Sequence, residues 1–228
     1  MKNYREIDHV SLPGYRETIK YLKDRLLCFI SKSSVVLDAG CGSHNQLLSK
    51  NKVRLLIGYD VDENSIRKNL CTCMGVIGDL EAMGFCENVF DLIMSFDVVE
   101  HLENPQAFIK NAARSLKKGG VIFFVTPNRN SICGFAARLM PYQAKVYFTK
   151  ILTGIATLNQ VHWYRLNSPS LMVKTLESNG FHHIRLTILN RLPSNPKMKR
   201  LLFPYYQICK LKYFMRFSTG LLCVARKV

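Results

Sequence analysis

Three carboxylates and a pair of glycines stand where short apolar runs end. Val35-Val36-Leu37-Asp38-Ala39 leads into Gly40-Cys41-Gly42-Ser43-His44. Leu55-Leu56-Ile57-Gly58-Tyr59 closes on Asp60, 22 residues after Asp38, and a third run closes on Gly78-Asp79-Leu80. Glycine at a strand end lets the backbone turn sharply and lets a ligand approach the main chain. A carboxylate at the tip of the second strand accepts hydrogen bonds from both hydroxyls of a ribose. Asp79, beside the same crevice, is placed to accept from an exocyclic amine such as that of adenine. Helix capping accounts for any one of these acids, but three in register at successive strand ends are not easily explained that way. A dinucleotide loop needs G-x-G-x-x-G, so that the following helix N-terminus can hold a pyrophosphate. Asn45 and Gln46 follow Gly42 instead, which disfavours a nicotinamide dehydrogenase.

These residues need a scaffold that presents strand tips side by side. Val35–Ala39, Leu55–Tyr59, Gly75–Gly78, Phe90–Phe96 and Val121–Thr126 are runs of four to seven residues rich in Val, Ile, Leu and Phe. Strands buried on both faces read this way. Helical segments near 45–51, 63–70 and 105–117 alternate with them, and the Gly-x-Gly turn is expected to open a helix. Residues 14–31 place Ile19, Leu22, Leu26, Leu27 and Ile30 on one helical face. Ser168–Asn179 reads as a helix with Ser168 as N-cap, Pro169 in the first turn and Gly180 as stop. Phe181–Leu189 and Gly220–Ala225 are the last strands, with an insertion around 190–219. The expectation is an α/β fold: a Rossmann-like, doubly wound, mostly parallel seven-stranded sheet with helices on both faces and a helical lid. The 228 residues fit a single domain, 1–228, with a ligand-binding core over about 33–128. Substrate or lid elements are expected over about 1–30, 129–162 and 190–219.

Composition narrows the class. The chain is 48% hydrophobic and 21% charged, which excludes disordered, collagen-like and coiled-coil proteins. No run of about 18 uncharged apolar residues suggests a membrane span, and Met1-Lys2-Asn3-Tyr4-Arg5-Glu6 leads into no apolar signal core. The chain therefore reads as cytoplasmic. Its eight cysteines contain no C-x-x-C pair, so they read as free thiols in a reducing compartment and not as zinc ligands. Charge is divided unevenly. Residues 1–103 carry 12 Lys/Arg against 15 Asp/Glu, whereas residues 104–228 carry 20 against a single acid, Glu177. An almost acid-free stretch of this kind projects a positive potential toward an anionic partner.

In these segments the chain resembles class I S-adenosylmethionine-dependent methyltransferases. The resemblance rests on Val36-Leu37-Asp38-Ala39-Gly40-Cys41-Gly42, Gly58-Tyr59-Asp60-Val61-Asp62 and Gly78-Asp79-Leu80-Glu81. It continues through Phe90-Asp91-Leu92-Ile93-Met94-Ser95-Phe96-Asp97-Val98-Val99-Glu100-His101-Leu102 and Leu116-Lys117-Lys118-Gly119-Gly120, before a strand ending Val125-Thr126-Pro127-Asn128. His162-Trp163-Tyr164 ahead of Ser168–Phe181 is similar to the small-molecule branch, which includes quinone and sugar or natural-product O-methyltransferases. The resemblance implies S-adenosyl-L-methionine as cofactor. Its binding set is then Asp38, Gly40, Cys41, Gly42, Asp60, Val61, Asp79, Leu80, Ser95 and Phe96. Gly40 and Gly42 border the methionine, Asp60 holds the ribose, Asp79 and Leu80 flank the adenine, and Ser95 and Phe96 lie near the sulfonium. The chain departs from the family at His44, where a glycine is usual; a side chain there crowds the cofactor or contacts its carboxylate.

Methyl transfer is an in-line displacement in which the enzyme aligns nucleophile, methyl and sulfur and excludes water. A hydroxyl nucleophile also benefits from a general base, commonly histidine. His101 and His162 are the candidate catalytic residues. Asp97, Glu100, His101 and His162 also resemble the two-acid, two-histidine metal site of small-RNA 3′-end methyltransferases. Asp97 stands where those enzymes carry Glu and their paired-histidine loop is missing, so no metal is assigned. The leading expectation is methyl transfer, at a hydroxyl oxygen, to a small or lipid-linked metabolite such as a saccharide, quinone or natural product. The alternatives are an RNA methyltransferase and a non-catalytic cofactor-binding subunit. Met198–Phe217 interleaves cations with Leu, Phe and Tyr, which suits peripheral contact with an anionic inner membrane surface better than nucleic acid.

Overall fold

In a computed structural model, residues 6–139, 141, 143, 163–193 and 195–228 are described. Eight strands form one sheet: β1 (Glu6–Leu12), β2 (Val35–Ala39), β3 (Leu55–Asp60), β4 (Met74–Ile77), β5 (Phe90–Phe96), β6 (Leu116–Pro127), β7 (Phe181–Arg191) and β8 (Gly220–Lys227). Their order is β1-β7-β8-β6-β5-β2-β3-β4. β8 runs antiparallel to β6 and β7, and every other pair is parallel. All seven expected strands are present, and the sheet gains an eighth. β1 reads Glu-Ile-Asp-His-Val-Ser-Leu and pairs with β7 from Glu6↔Arg185 to Leu12↔Arg191. As an edge strand it keeps one side in solvent, so it lacks the continuous apolar run that marks a central parallel strand.

The helices are α1 (Tyr15–Leu27), α2 (Glu63–Lys68), α3 (Pro105–Ser115), α4 (Ile132–Leu139), α5 (Pro169–Ser178) and α6 (Pro196–Ile208). Alternate strand residues serve two cores. Val35, Leu37, Ile93, Ile122 and Phe124 join Phe108 and Ile109 of α3 and Met172 and Leu176 of α5 on one face. Val36, Leu92, Met94, Phe123 and Val125 join Leu22 and Leu26 of α1 on the other. Period-two strands with helices on both sides are what a doubly wound sheet requires. Among the described residues no helix is long and apolar enough to cross a membrane.

One expectation is corrected. No α-helix follows Gly42: the chain runs as loop to a single 3-10 turn, Lys50–Lys52, because side-chain bonds from Asn45 hold this stretch in another shape. Residues 6–27 form the sheet's edge strand and a core-packed helix. Only Tyr15 and Ile19 of α1 reach the site's smaller recess. The insertion at 190–219 contains a thirteen-residue helix, α6, started by Asn195, whose side chain accepts from the Lys197 and Met198 amides.

Candidate active site

The chain passes from β2 outward through β3 and β4, then returns to β5 and β6 on the other side of β2. The order therefore reverses between β2 and β5, and in open α/β sheets ligands bind beyond the carboxyl ends of strands at such a reversal. A crevice of about 570 Å³ lies there, lined by Gly40 and Gly42 after β2, Asp60 and Val61 after β3, Asp79 and Leu80 after β4, and Phe96, Asp97 and His101 after β5. Trp163 closes one side of it. Across Gly40 and Phe96 a recess of about 90 Å³ is lined by Asp38, Cys41, His44 and Ser95. Every expected cofactor residue thus lines one of two adjoining cavities. His101, half-buried, lines the larger cavity, while His162 lies outside the described residues.

Local bonds shape the glycine loop. Gly40 adopts φ +77° and Gly42 φ +52°, the left-handed region that L side chains avoid. A Cβ on Gly40 would strike Val98, whereas one on Gly42 would meet nothing within 4 Å. The Gly40 amide donates to the Tyr59 carbonyl at 2.7 Å. Asp60 Oδ2 accepts from the Gly42 amide at 2.8 Å and its Oδ1 from the Asp62 amide at 3.0 Å. Asn45 Nδ2 donates to Asp38 Oδ2 at 2.7 Å, and its Oδ1 accepts from the Leu47 and Leu48 amides. Asn69 Nδ2 donates to the Gly42 carbonyl at 2.9 Å. These two asparagines were missed in the sequence; they are loop residues with no periodicity to mark them.

The electrostatics separate the acids. Burial, opposed by the Asn45 bond and reinforced by nearby Asp60, pushes Asp38 up to about 7. Burial and the Asp38 and Asp60 charges push the Cys41 thiol up to about 12, so Cys41 is protonated and packs as a small apolar group. Asp79 caps the 3-10 turn Leu80–Ala82 through the Glu81 amide and still lines the crevice. Capping and lining therefore coexist at this strand tip.

Beyond β5 the structure reassigns the acids that resemble a metal site. Asp97, at φ +52°, is gripped by Arg191 at the end of β7, Nη2 to Oδ1 at 2.8 Å and Nη1 to Oδ2 at 3.4 Å. Glu100, 2% exposed, accepts from Thr126 Oγ1 at 2.9 Å, and Thr126 in turn accepts from Asn167 Nδ2. Burial first, and the Asp97 charge second, raise Glu100 to about 8. At neutral pH it is therefore mostly a neutral acid in a buried hydrogen-bond chain. Its carbonyl accepts from the Trp163 amide at 2.7 Å, which fixes the aromatic wall of the crevice. Arg165 lies over the Trp163 ring at 4.8 Å. Arg191 was not foreseen, because its partner lies 94 residues away and nothing local signals the pair.

The cavities suit an adenosyl ligand carrying an amino-acid tail. A Cβ on Gly42 would meet nothing within 4 Å, and Asp60 and Asp79 both line the larger cavity. Ser95 Oγ is buried with no hydrogen-bond partner among the described residues. His44 lines the smaller recess with its Nδ1 3.4 Å from Cys71 Sγ. Fold and site together define a nucleoside-binding α/β protein of the kind that uses S-adenosyl-L-methionine.

Residues 14–181 match a family profile described as a methyltransferase domain. Ubiquinone biosynthesis O-methyltransferase of Coxiella burnetii is 28% identical over 184 residues, 77% of this chain and 74% of that protein. A SAM-dependent methyltransferase of Archaeoglobus fulgidus superposes with TM-score 0.59 at 20% identity, covering 94% of this chain and 95% of that one. Phosphoethanolamine N-methyltransferase 2 of Haemonchus contortus, solved with S-adenosyl-L-methionine, gives TM-score 0.62 at 15% identity, over 91% of this chain and 52% of that one. The chain belongs to the methyltransferase domain family; it is an S-adenosyl-L-methionine-dependent methyltransferase.

Proposed function

We propose that the protein methylates a hydroxyl oxygen of a small or lipid-linked acceptor of quinone type. The observation that carries this reading is a single crevice lined together by Asp60, Asp79, His101 and Trp163. The relatives named ubiquinone biosynthesis O-methyltransferases support the acceptor class. Bound S-adenosyl-L-methionine supplies a methyl group already activated by a positive sulfur. In this reading Asp60 accepts from the ribose hydroxyls, Asp79 and Leu80 flank the adenine, and Val61 covers it. The backbone at Gly40, Cys41 and Gly42, held by Asp38 through Asn45, borders the methionine. Ser95 and Phe96 stand beside the sulfur.

Trp163 offers a flat apolar face to a ring acceptor. With the cofactor held by Asp60, Asp79 and the Gly40–Gly42 backbone, its sulfonium would supply the methyl group and the leaving sulfur, and the crevice would align the acceptor oxygen with that methyl. His101 takes the hydroxyl proton. A lipid-linked acceptor places the enzyme at the cytoplasmic surface of an anionic membrane, as the acid-free C-terminal half supports.

The test is titration with S-adenosylmethionine and S-adenosylhomocysteine, followed by product analysis with ring acceptors bearing adjacent hydroxyls. Micromolar binding of both sulfur compounds, and methyl transfer to ring oxygen, are expected. Transfer to RNA, with affinity falling steeply as salt rises, would replace the acceptor assignment.

A further inference from the structure

Two apolar stripes lie exposed on helices that leave the same end of the sheet as the crevice. On α4, Ile132, Phe135 and Leu139 are 54%, 56% and 69% exposed, at the i, i+3, i+7 spacing that puts them on one helical face. On α6, Leu201 and Ile208, 61% and 46% exposed, share a stripe with exposed Pro204 at the same spacing, and the turn after it presents Tyr213 at 85%. Soluble proteins rarely leave so many large apolar side chains together in water. The two elements are neighbours: the Ile132 amide donates to Tyr205 Oη at 3.0 Å, and Tyr205 Oη donates to the Phe217 carbonyl.

The charge around them has one sign. Residues 178–228 hold ten Lys/Arg and no Asp or Glu, and Lys197, Lys199, Arg200, Lys210 and Lys212 are exposed on α6 and the turn that follows it. A helix with cations beside an exposed apolar stripe is the composition of an interfacial segment on anionic lipid. Nucleic-acid surfaces use flat aromatics and Arg; Phe203, Tyr213 and Arg200 are exposed on this face too, but Leu201, Pro204 and Ile208 on α6 and Ile132 and Leu139 on α4 add aliphatic area that base stacking does not use.

Topology ties the face to catalysis. α4 leaves the carboxyl end of β6 and α6 leaves that of β7, whose last residue, Arg191, reaches Asp97 in the crevice wall. Asn128, just after β6, donates to the carbonyls of Arg216 and Ser218 and pins the turn to the same sheet edge. We propose that α4, α6 and the turn through Phe217 form the face by which the enzyme docks on an anionic phospholipid bilayer, with the crevice beside the headgroups. This deepens the lipid-linked acceptor reading and rests on it for its biological purpose, though not for its geometry.

The test is flotation of the purified full chain with phosphatidylcholine vesicles, with and without phosphatidylglycerol, at low and physiological ionic strength. Binding to the anionic vesicles, weakened by salt, is expected. A Lys199→Gln/Arg200→Gln/Lys212→Gln variant should partition about a hundredfold less, at about fivefold for each cation. Leu201→Ser/Tyr213→Ser should lose about tenfold or more. All these side chains are exposed, and circular dichroism and melting temperature check that the variants fold. Absence from anionic vesicles, equal flotation by the lysine and arginine variant, or displacement by stoichiometric single-stranded RNA each overturns the proposal. A protein that floats yet methylates no quinone-type acceptor keeps the docking face and loses the acceptor reading. One that methylates a soluble ring acceptor yet does not float does the reverse.

Discussion

Glu100→Gln should make the protein more stable, and increasingly so as pH rises. Glu100 is buried, and its carboxyl sits near 8 because desolvation and the neighbouring Asp97 charge disfavour ionisation. A carboxyl whose folded pKa lies above its unfolded value binds its proton more tightly when folded. Stability is therefore fully present below the ordinary carboxylate range and is lost as pH climbs toward 8, then levels. The loss runs at on the order of 1 kcal/mol per pH unit, a few kcal/mol in total. Glutamine keeps the shape and an oxygen to accept from Thr126 Oγ1, but has no charge to develop. Asp38 acts in the same direction up to about 7, and burial lowers His9. Both are present in the two proteins, so the difference between wild type and variant isolates Glu100. Urea unfolding at pH 5, 6, 7, 8 and 9 measures it. The expected difference is small at pH 5, grows to a few kcal/mol at pH 8 and is flat beyond. A difference independent of pH, or a variant less stable than wild type throughout, would refute the claim that Glu100 is held neutral.

Other outcomes follow from the site's geometry. Gly40→Ala combines a left-handed backbone with a Cβ that strikes Val98 and should cost about 2 kcal/mol or more. Gly42→Ala carries only the backbone cost of about 1 kcal/mol; equal melting temperatures for the two variants would contradict this ranking. Asp60→Ala removes the anchor of the Gly42 amide together with the proposed ribose acceptor. It should weaken S-adenosylhomocysteine binding about a hundredfold by calorimetry, and unchanged affinity would remove Asp60 from the cofactor site. His101→Gln should lower turnover by about 100-fold or more while leaving that affinity intact, and a variant with normal turnover would clear His101 of the general-base role.

The central sheet and most of its binding edge were legible in the residue order. β2, β3, β5 and β6 are central strands, largely buried, so each writes itself as an apolar run; β4, expected to be buried, is the opposite edge strand, with Met74 and Ile77 exposed, and was legible only because it too is apolar. The groups that face the crevice follow directly at the strand ends, so Asp60, Asp79 and the Gly40–Gly42 turn needed no knowledge of distant parts. The helix started by Pro169 and stopped by Gly180, at φ +79°, was equally local. β1 was not legible, because an edge strand half in water alternates with polar residues and carries no apolar run.

The remaining features were settled by contacts between residues far apart in the chain. Local sequence determines which segments are strands and which atoms stand at their tips, since both depend on the side chains of a few consecutive residues. It does not determine ionisation or pairing. Glu100 is an ordinary surface-type residue until β6, Thr126 and Asn167 close around it and strip its water. Asp97 is an open carboxylate until β7 delivers Arg191. His44 is a loop residue like any other until the fold brings Cys71 within 3.4 Å of its ring beside the recess. In each case the deciding quantity is desolvation or the distance to a partner brought by another strand, and only the folded sheet sets that.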